Sequence, residues 1–404
     1  MHSELPTARV LIVGVSVRAA AESAARAGFD VTALDGFGDL DQHAAVQSLS
    51  LPRDFGVPFT PRAAACVARD ISSGAAVYLS GFENAPRAVS ALASGRTLWG
   101  NPPEVLRRVR DPFELARVLH RRGFAVPNAP NPPSPSGFGV AGPSPLGFGA
   151  ASAGAPNAEY LLKPLSSCGG QRVRAWRAGM PVPRGYYVQQ FVSGIPASIV
   201  FVSANRRAVP IGMSRQLVGE VAFGAGGFTY CGSILTTFAG LPSDRRALVA
   251  DASALASTVT EEFDLVGVGG IDFIVHDGRA CPLEVNPRWS ASMELVERVY
   301  GLSVFGAHVA ACRDRVLPAF DWERAGAASP THGKAVVFAR GDVVARDTRA
   351  WLERPDIRDV PQPGERIKAG HPVCTVFADA ADEGACHAAL VRRAEDVYAE
   401  MAGW

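Results

Sequence analysis

Residues 270–288, GIDFIVHDGRACPLEVNPR, carry the strongest structural signal in this 404-residue chain. Two apolar runs flank an Asp-Gly dipeptide at 277–278, a pattern that predicts a β-hairpin. Asp272 lies on the first strand of this hairpin, and Glu284 and Asn286 lie on the second. Since Glu284 and Asn286 are two residues apart on one strand, their side chains share a face of the sheet.

The length of the hairpin loop decides whether the two carboxylates meet, because a shift of one residue moves a side chain to the other face. A two-residue loop would pair Asp272 with Leu283 and would place Glu284 on the opposite face. A three-residue loop over 276–278 would pair Asp272 with Pro282, so that Asp272 and Glu284 become diagonal neighbours on one face. We predict the three-residue loop.

Acidic and amide side chains on one sheet face predict a metal site. Two neighbouring carboxylates repel each other and are costly to bury unless cations lie among them. Oxygen ligands suit Mg²⁺, with Mn²⁺ as an alternative. We therefore predict Asp272, Glu284 and Asn286 as metal ligands. Arg288 then lies beside the metal as a fork for a phosphate or a carboxylate. A polar sheet face covered by water and arginines is the alternative reading of the two carboxylates.

A second motif lies upstream, where Lys163 ends an apolar strand and the small-residue stretch 165–170 follows. An ammonium group beside a loop whose N–H groups face outward can hold a polyphosphate. The 40 basic residues include only three lysines, which indicates that each lysine has a particular role. The alternative is a strand that simply ends in a turn.

The stretch 186–202, YYVQQFVSGIPASIVFV, predicts two strands joined by a turn. Backbone groups near the turn could read the edge of an adenine, while Gln189 or Gln190 holds a ribose. A plain hairpin without a ligand is the alternative for this segment.

These motifs, in this order, resemble the ATP-grasp superfamily. The resemblance rests on KPLSSCGG at 163–170, VQQFVSGIPAS at 188–198, GIDFIVHDG at 270–278 and PLEVNPR at 282–288. It implies that two α+β subdomains clamp ATP between them. It also implies that a carboxylate is converted to an acyl phosphate, from which an amine then displaces phosphate.

The resemblance implies roles for individual residues as well. Lys163 would hold the α- and β-phosphates, and Arg288 would stabilise the transferred phosphoryl group, so both are implied to be catalytic. A mobile glycine loop would cover the phosphates, and a hinge segment would bind adenine. The implied nucleotide-binding residues are Lys163, Ser167, Gly169, Gly170, Gln189, Gln190, Phe191, Val192 and Ser198.

Several positions leave questions open. Gln190 stands where the family usually has a glutamate that contacts ribose. The other phosphate-binding lysine of the family has no clear counterpart, and His120 or Arg121 could replace it. The glycine-rich stretch 223–230 is either a lid or an ordinary wide turn. Glu294 either orders water at the site or occupies a surface position on a helix.

The pattern along the chain predicts an α/β and α+β fold in four parts. Residues 1–126 alternate strands and helices, which predicts a Rossmann-like parallel-sheet domain. Residues 127–157 are rich in Pro, Gly and Ser, which predicts a flexible insertion. The ATP-grasp resemblance assigns 158–324 to a two-subdomain ATP-grasp fold. Residues 325–404 predict a small β-rich extension that ends in a helix.

Composition and charge argue against several classes of protein. A content of 48% hydrophobic and 20% charged residues is that of a globular chain. A net charge of +1 offers no broad basic surface for nucleic acid or an anionic membrane. No apolar stretch approaches the roughly 20 residues of a spanning helix. The seven cysteines include no C-x-x-C spacing, so we expect a reducing cytoplasm.

Together these observations predict an ATP- and Mg²⁺-dependent ligase that joins a small-molecule carboxylate to an amine, with no nucleic-acid or membrane partner; a homodimer is left open. The stretches 14–41 and 98–115 resemble predicted carboxylate–amine ligases of methylotroph one-carbon cofactor pathways, of the methanofuran or tetrahydromethanopterin type. That resemblance implies ligation of an amino acid such as glutamate. The alternatives are a kinase or carboxylase with the same ATP clamp, or a nucleotide-binding regulatory protein without turnover.

Overall fold

The computed structural model describes residues 9–129, 159–241, 245–326 and 328–404. Most of the insertion expected at 127–157 therefore lies outside the described residues.

A five-stranded parallel sheet forms the N-terminal part and confirms the predicted Rossmann-like domain. Its spatial order is β3-β2-β1-β4-β5, so the direction of strand addition reverses between β1 and β4. In such sheets ligands bind outside the carboxyl ends of the strands at this reversal. The strands are β1 (Val10–Val13), β2 (Val31–Asp35), β3 (Val46–Ser50), β4 (Ala75–Tyr78) and β5 (Thr97–Leu98).

Six helices accompany this sheet among the described residues 9–129. Several begin with a side-chain cap: Thr60 accepts the Ala63 N–H, Asp111 accepts the Phe113 and Glu114 N–H groups, and a proline follows each cap directly. The helices are α1 (Arg18–Arg26), α2 (Leu51–Phe55), α3 (Pro61–Val67), α4 (Pro86–Leu92), α5 (Pro103–Val109) and α6 (Pro112–Arg121).

A small antiparallel sheet follows, with the order β7-β6-β8. The central strand β6 (Tyr160–Pro164) carries Lys163 near its end. Its neighbours are β7 (Arg174–Trp176) and β8 (Tyr186–Gln190). Leu162, Trp176 and Val188 form the buried core of this sheet.

A large antiparallel sheet forms the rest of the fold, in the order β13-β12-β9-β10-β11-β14-β18-β16. The long helix α7 (Arg246–Phe263) packs against β9, β10, β12 and β13 through its buried leucine, valine and alanine side chains. The strands are β9 (Ile195–Ala204), β10 (Arg207–Val218), β11 (Tyr230–Thr236), β12 (Gly267–His276), β13 (Arg279–Asn286), β14 (Thr331–Phe338), β16 (Ile357–Arg358) and β18 (Pro372–Ala380).

The C-terminal strands continue this large sheet, since β14 pairs with β11 and β18 pairs with β14. Helix α10 (Glu383–Met401) covers them, and β15 (Val343–Val344) pairs with β17 (Arg366–Ile367) beside them. The helices α8 (Met293–Tyr300) and α9 (Val304–Val309) pack between the large sheet and the N-terminal part. Together these parts form the predicted fold class.

The hairpin β12–β13 differs from its predicted register. His276 pairs with Arg279, so the loop has two residues and the expected three-residue loop is wrong. Asp277 and Gly278 both have positive φ, 47° and 74°, as a tight two-residue turn requires. A β-bulge between Asp272 and Phe273 compensates, because β13 places one extra residue, Leu283, opposite this step.

The bulge brings Asp272 directly opposite Glu284, where the prediction made them diagonal neighbours. The two carboxylates therefore share one face of the sheet, although the two-residue loop alone would have separated them.

Candidate active site

A cavity of about 1200 Å³ lies where the carboxyl ends of β1, β2 and β4 meet the small sheet and the large sheet. It is larger than most single-ligand pockets, so it has room for more than one small molecule. All the residues assigned from the sequence as catalytic, nucleotide-binding or metal-binding line this cavity: Lys163, Ser167, Gly169, Gly170, Gln189, Gln190, Phe191, Val192, Ser198, Asp272, Glu284, Asn286 and Arg288.

Asp272 is held by neutral groups. Its Oδ1 accepts a hydrogen bond from Gln216 Nε2 at 2.8 Å, and its Oδ2 accepts one from Asn286 Nδ2 at 2.8 Å. Burial and the facing charge of Glu284 raise the pKa of Asp272 to about 7. Gln216 lies on β10, and the sequence did not predict that it would contact Asp272.

Glu284 has cations for neighbours. Burial alone would raise the pKa of Glu284, but Arg110, Lys163 and Arg288 outweigh burial and lower it. The closest of these contacts joins Glu284 Oε2 to Arg110 Nη1 at 3.3 Å. A third of the Glu284 side chain, 32%, remains exposed, so this carboxylate is open to a ligand.

The oxygens of Asp272, Glu284 and Asn286 fit a small divalent cation. Carboxylate and amide oxygens are what Mg²⁺ prefers, and it commonly takes only one or two carboxylates from the protein. Within the four described stretches, no three His, Cys, Asp or Glu side chains lie close enough to hold a metal by themselves.

Arg288 is buried and fixed from the N-terminal part of the chain. Its Nε and Nη2 atoms donate to Glu83 Oε1 at 3.1 and 2.6 Å, and Nη2 also donates to Asn286 Oδ1 at 3.1 Å. Glu83 is fully buried in the turn after β4, and its Oε2 accepts the Gly81 N–H at 2.6 Å. The sequence reading missed Glu83. The available signal was an acid just past a predicted parallel strand, where ligand-binding residues collect.

Arg110 supplies a cation that the sequence reading also missed. Besides Glu284, it donates to the carbonyl oxygens of Val285 at 2.8 Å and Ser167 at 3.3 Å. His120 and Arg121, the suggested replacements for the missing lysine, are instead exposed in the last turn of α6 and do not line the cavity. Helical geometry turns this end of α6 to solvent, whereas Arg110 follows α5 at the site.

Lys163 contacts the proposed adenine hinge. Its Nζ donates to Gln189 Oε1 at 3.0 Å and lies 6.0 Å from the centre of the Tyr187 ring. Gln190 instead turns toward Asn128, whose backbone N–H donates to Gln190 Oε1 at 3.2 Å. That oxygen is therefore already used within the protein.

The glycine loop at 169–170 packs against the glycine-rich stretch 223–230, for which the sequence predicts either a lid or a wide turn. Tyr230 N–H donates to the Gly169 carbonyl at 3.0 Å. A Cβ on Gly170 would lie only 1.8 Å from the Phe228 carbonyl oxygen, so glycine is required for this approach.

Glu294 is neither on the surface nor free. Its Oε1 accepts a hydrogen bond from Arg18 Nη2 at 2.7 Å, and its Oε2 accepts one from Lys334 Nζ at 2.6 Å. Burial opposes ionisation, but these two cations hold the pKa of Glu294 well below its usual range. Arg18 also binds Asp359 at 2.7 Å.

The cavity is lined by residues of both the small sheet and the large sheet. Residues 109–292 match a family model described as an ATP-grasp domain. This match covers a little under half of the chain and shows that these residues are similar to an ATP-grasp domain. Among the described residues, no helix has both the length and the apolar character needed to cross a membrane.

Two proteins that are similar to this chain in sequence or in fold share 26% identity or less with it. An uncharacterised protein of Methanocaldococcus jannaschii is 26% identical over 122 residues, which is 30% of this chain and 28% of that protein. Pyruvate carboxylase of Rhizobium etli has a TM-score of 0.69 at 14% identity; the match covers 96% of this chain but only 37% of the carboxylase chain.

Two similar structures match over nearly their whole length. L-amino acid ligase from Bacillus licheniformis has a TM-score of 0.63 at 14% identity, covering 96% of this chain and 97% of that one. N5-carboxyaminoimidazole ribonucleotide synthetase from Thermus thermophilus has a TM-score of 0.62 at 17% identity, covering 95% and 97%. At these identities the likeness concerns the fold.

Proposed function

We propose that this protein is an ATP- and Mg²⁺-dependent ligase that activates a carboxylate as an acyl phosphate and joins it to an amine. One arrangement supports this most. The facing carboxylates Asp272 and Glu284 line the same cavity as Lys163, and Arg288 is fixed beside them by the buried Glu83.

Each group has a role in this proposal. Lys163 and the loop at Gly169–Gly170 would hold the triphosphate, and the segment 189–192 would hold the adenine. Ser167 and Ser198 complete the nucleotide contacts. Asp272, Glu284 and Asn286 would hold Mg²⁺, or Mn²⁺ in its place. When bound, the metal would neutralise charge on the phosphoryl oxygens.

The reaction would proceed in two displacements. A carboxylate oxygen of the substrate bonds to the γ-phosphorus of ATP as the bond to ADP breaks. The nitrogen of the amine then bonds to the carbonyl carbon of the acyl phosphate, phosphate leaves with the electron pair of its C–O bond, and the nitrogen loses a proton. Arg288 would stabilise negative charge on the phosphoryl group in both steps through its guanidinium.

The finer assignment rests on the sequence resemblance. We propose an amino acid such as glutamate as one substrate, within a one-carbon cofactor pathway of the methanofuran or tetrahydromethanopterin type. We also propose that the enzyme is cytoplasmic and that it can form a homodimer. The proposed domain bounds are 1–126, 127–157, 158–324 and 325–404.

Trapping with hydroxylamine tests the proposal. Hydroxylamine replaces the amine and converts an acyl phosphate into a hydroxamate, so ATP, Mg²⁺, hydroxylamine and a panel of amino acids should give equal amounts of ADP and hydroxamate. Arg288→Lys should abolish both products, because a lysine cannot reproduce the guanidinium fork. The matched control is Arg279→Lys, in the exposed turn of the same hairpin.

Other outcomes would identify the rival functions. ADP formed with bicarbonate alone would indicate a carboxylase. Binding of ATP with no ADP under any carboxylate would indicate a nucleotide-binding protein without turnover.

A further inference from the structure

One part of the cavity is rich in carboxylates. Its charged lining consists of four acids and two cations, Asp39, Glu294, Asp359, Glu365, Arg18 and Lys334, and we call this part the acidic end. With all four acids ionised, this lining would carry a net charge of −2, from four carboxylates and two cations.

Both cations of the acidic end are already committed. Arg18 is 1% exposed and donates to Glu294 and Asp359, each at 2.7 Å. Lys334 donates to the other oxygen of Glu294 at 2.6 Å. Both cations are therefore already paired within the protein.

These pairs leave out Glu365 and Asp39. Glu365 accepts the Gln362 N–H at 3.1 Å, whereas Asp39 has an oxygen without a partner in the part of the chain that the structure describes. Its Oδ2 is buried and accepts no hydrogen bond within the described residues. Burial and the nearby carboxylates Asp359, Asp35 and Asp41 hold the pKa of Asp39 well above its usual range, opposed by Arg18. A buried acceptor without a partner is costly, so its presence beside a cavity calls for an explanation.

A donor that carries positive charge would remove this cost. A primary ammonium group has three N–H donors and no acceptor, and it remains protonated at neutral pH. A metal ion fits less well, because Arg18 and Lys334 occupy both oxygens of Glu294 and Arg18 also occupies one oxygen of Asp359. Phe37, Phe59 and Leu79 line the same cavity and offer apolar contacts for the stem of an amine.

We propose that the acidic end binds the protonated primary amine of a substrate, with Asp39 as its carboxylate partner. The claim that this ammonium site holds the amine substrate rests on the proposed ligase function. The binding of an ammonium group itself can be measured without any turnover.

Amines and their isosteric alcohols test the site directly. Benzylamine and pentylamine are compared with benzyl alcohol and 1-pentanol by calorimetric titration or ligand-observed NMR at pH 7, without ATP. The wild-type protein should bind each amine at least tenfold more tightly than the matching alcohol. Asp39→Asn should remove this preference, while Asp39→Glu should keep part of it.

Two controls show that any loss is local. Asp39→Asn should bind ATP·Mg²⁺ as the wild type does. Asp347→Asn, which removes an exposed acid from a surface ion pair, should keep the full preference for amines.

Three results would overturn the site: equal binding of amine and alcohol by the wild type, no binding of either amine, or an unchanged preference in Asp39→Asn. The first two need no variant, so they stand even if Asp39→Asn does not fold. Asp39-dependent amine binding without hydroxamate formation would reject the ligase and keep the ammonium site. Hydroxamate formation without a preference for amines would support the ligase and reject the ammonium site.

Discussion

Glu284 and Glu294 lie ten residues apart on consecutive elements and line the same cavity, yet they are held in opposite ways. Glu284 is 32% exposed, and its ion pair with Arg110 is 3.3 Å long. Glu294 is 7% exposed and is bound by Arg18 and Lys334 at 2.7 and 2.6 Å.

The difference separates a group that can still take a ligand from one that cannot. Glu284 faces Asp272 and is partly exposed, so it can still bind a metal ion, which in turn can contact a phosphate. Glu294 has each carboxylate oxygen occupied by a cation, which suits a structural pair. We therefore expect substitution of Glu284 to affect turnover and substitution of Glu294 to affect stability.

Glu284→Gln should give the largest effect. It removes one of the two charges that would hold the metal, so Mg²⁺-dependent ADP release should fall by about 10³-fold. The melting temperature should change little, because the side chain is partly exposed. Glu261→Gln, an exposed glutamate paired with Arg122, is the matched control. Equal ADP release by wild type and Glu284→Gln would contradict the assignment of the metal ligands.

Glu294→Gln should give the converse result. It leaves Arg18 and Lys334 buried beside a neutral group, so the free energy of unfolding should fall by about 3 kcal/mol. Denaturant titration measures this loss. ADP release per folded molecule should fall far less than in Glu284→Gln. If Glu294→Gln is as stable as the wild type but inactive, the roles of the two glutamates would have to be exchanged.

Arg110→Gln should have a smaller effect on turnover. Arg110 contacts Glu284 and the Ser167 carbonyl, so its loss should disturb the position of both and lower kcat/KM for ATP about tenfold. Arg110→Lys should recover part of the activity. His120→Gln, on the exposed end of α6, serves as the control and should behave as the wild type.

The smallest expected effect concerns acid stability. Because the folded-state pKa of Glu294 is lowered, the unfolded chain takes up a proton at this residue before the folded chain does. The stability that this carboxylate contributes is present above about pH 4.5 and is lost as pH falls below it. Between about pH 4.5 and 3, Glu294→Gln should therefore lose stability less steeply than the wild type, as measured by thermal melts. Parallel curves would contradict the pairing.

The contrast between these glutamates also shows what sequence reasoning could reach. The hairpin was predictable because its turn and its alternating pattern are local. Its register was not, since the bulge at Leu283 depends on how β13 pairs with β12. The acidic pair was found for a partly wrong reason, because the bulge and not a longer loop brings the two side chains together.

Residues from distant elements could not be predicted in the same way. Glu83 reaches Arg288 across 205 positions, and Arg18 reaches Asp359 across 341. No periodicity or spacing records such pairs, because they form only when separate sheets pack together. The parallel sheet of the N-terminal part was predictable from its βαβ pattern. Its contribution of Glu83 and Arg18 to the cavity was not.

The central claim is that Asp272 and Glu284 hold Mg²⁺ against an ATP whose phosphates lie at Lys163. Calorimetric titration of ATP with and without Mg²⁺, into wild type and Glu284→Gln, tests it most directly. We expect Mg²⁺ to strengthen ATP binding by at least tenfold in the wild type and by much less in the variant. The same Mg²⁺ dependence in both proteins, or no ATP binding at all, would contradict the claim.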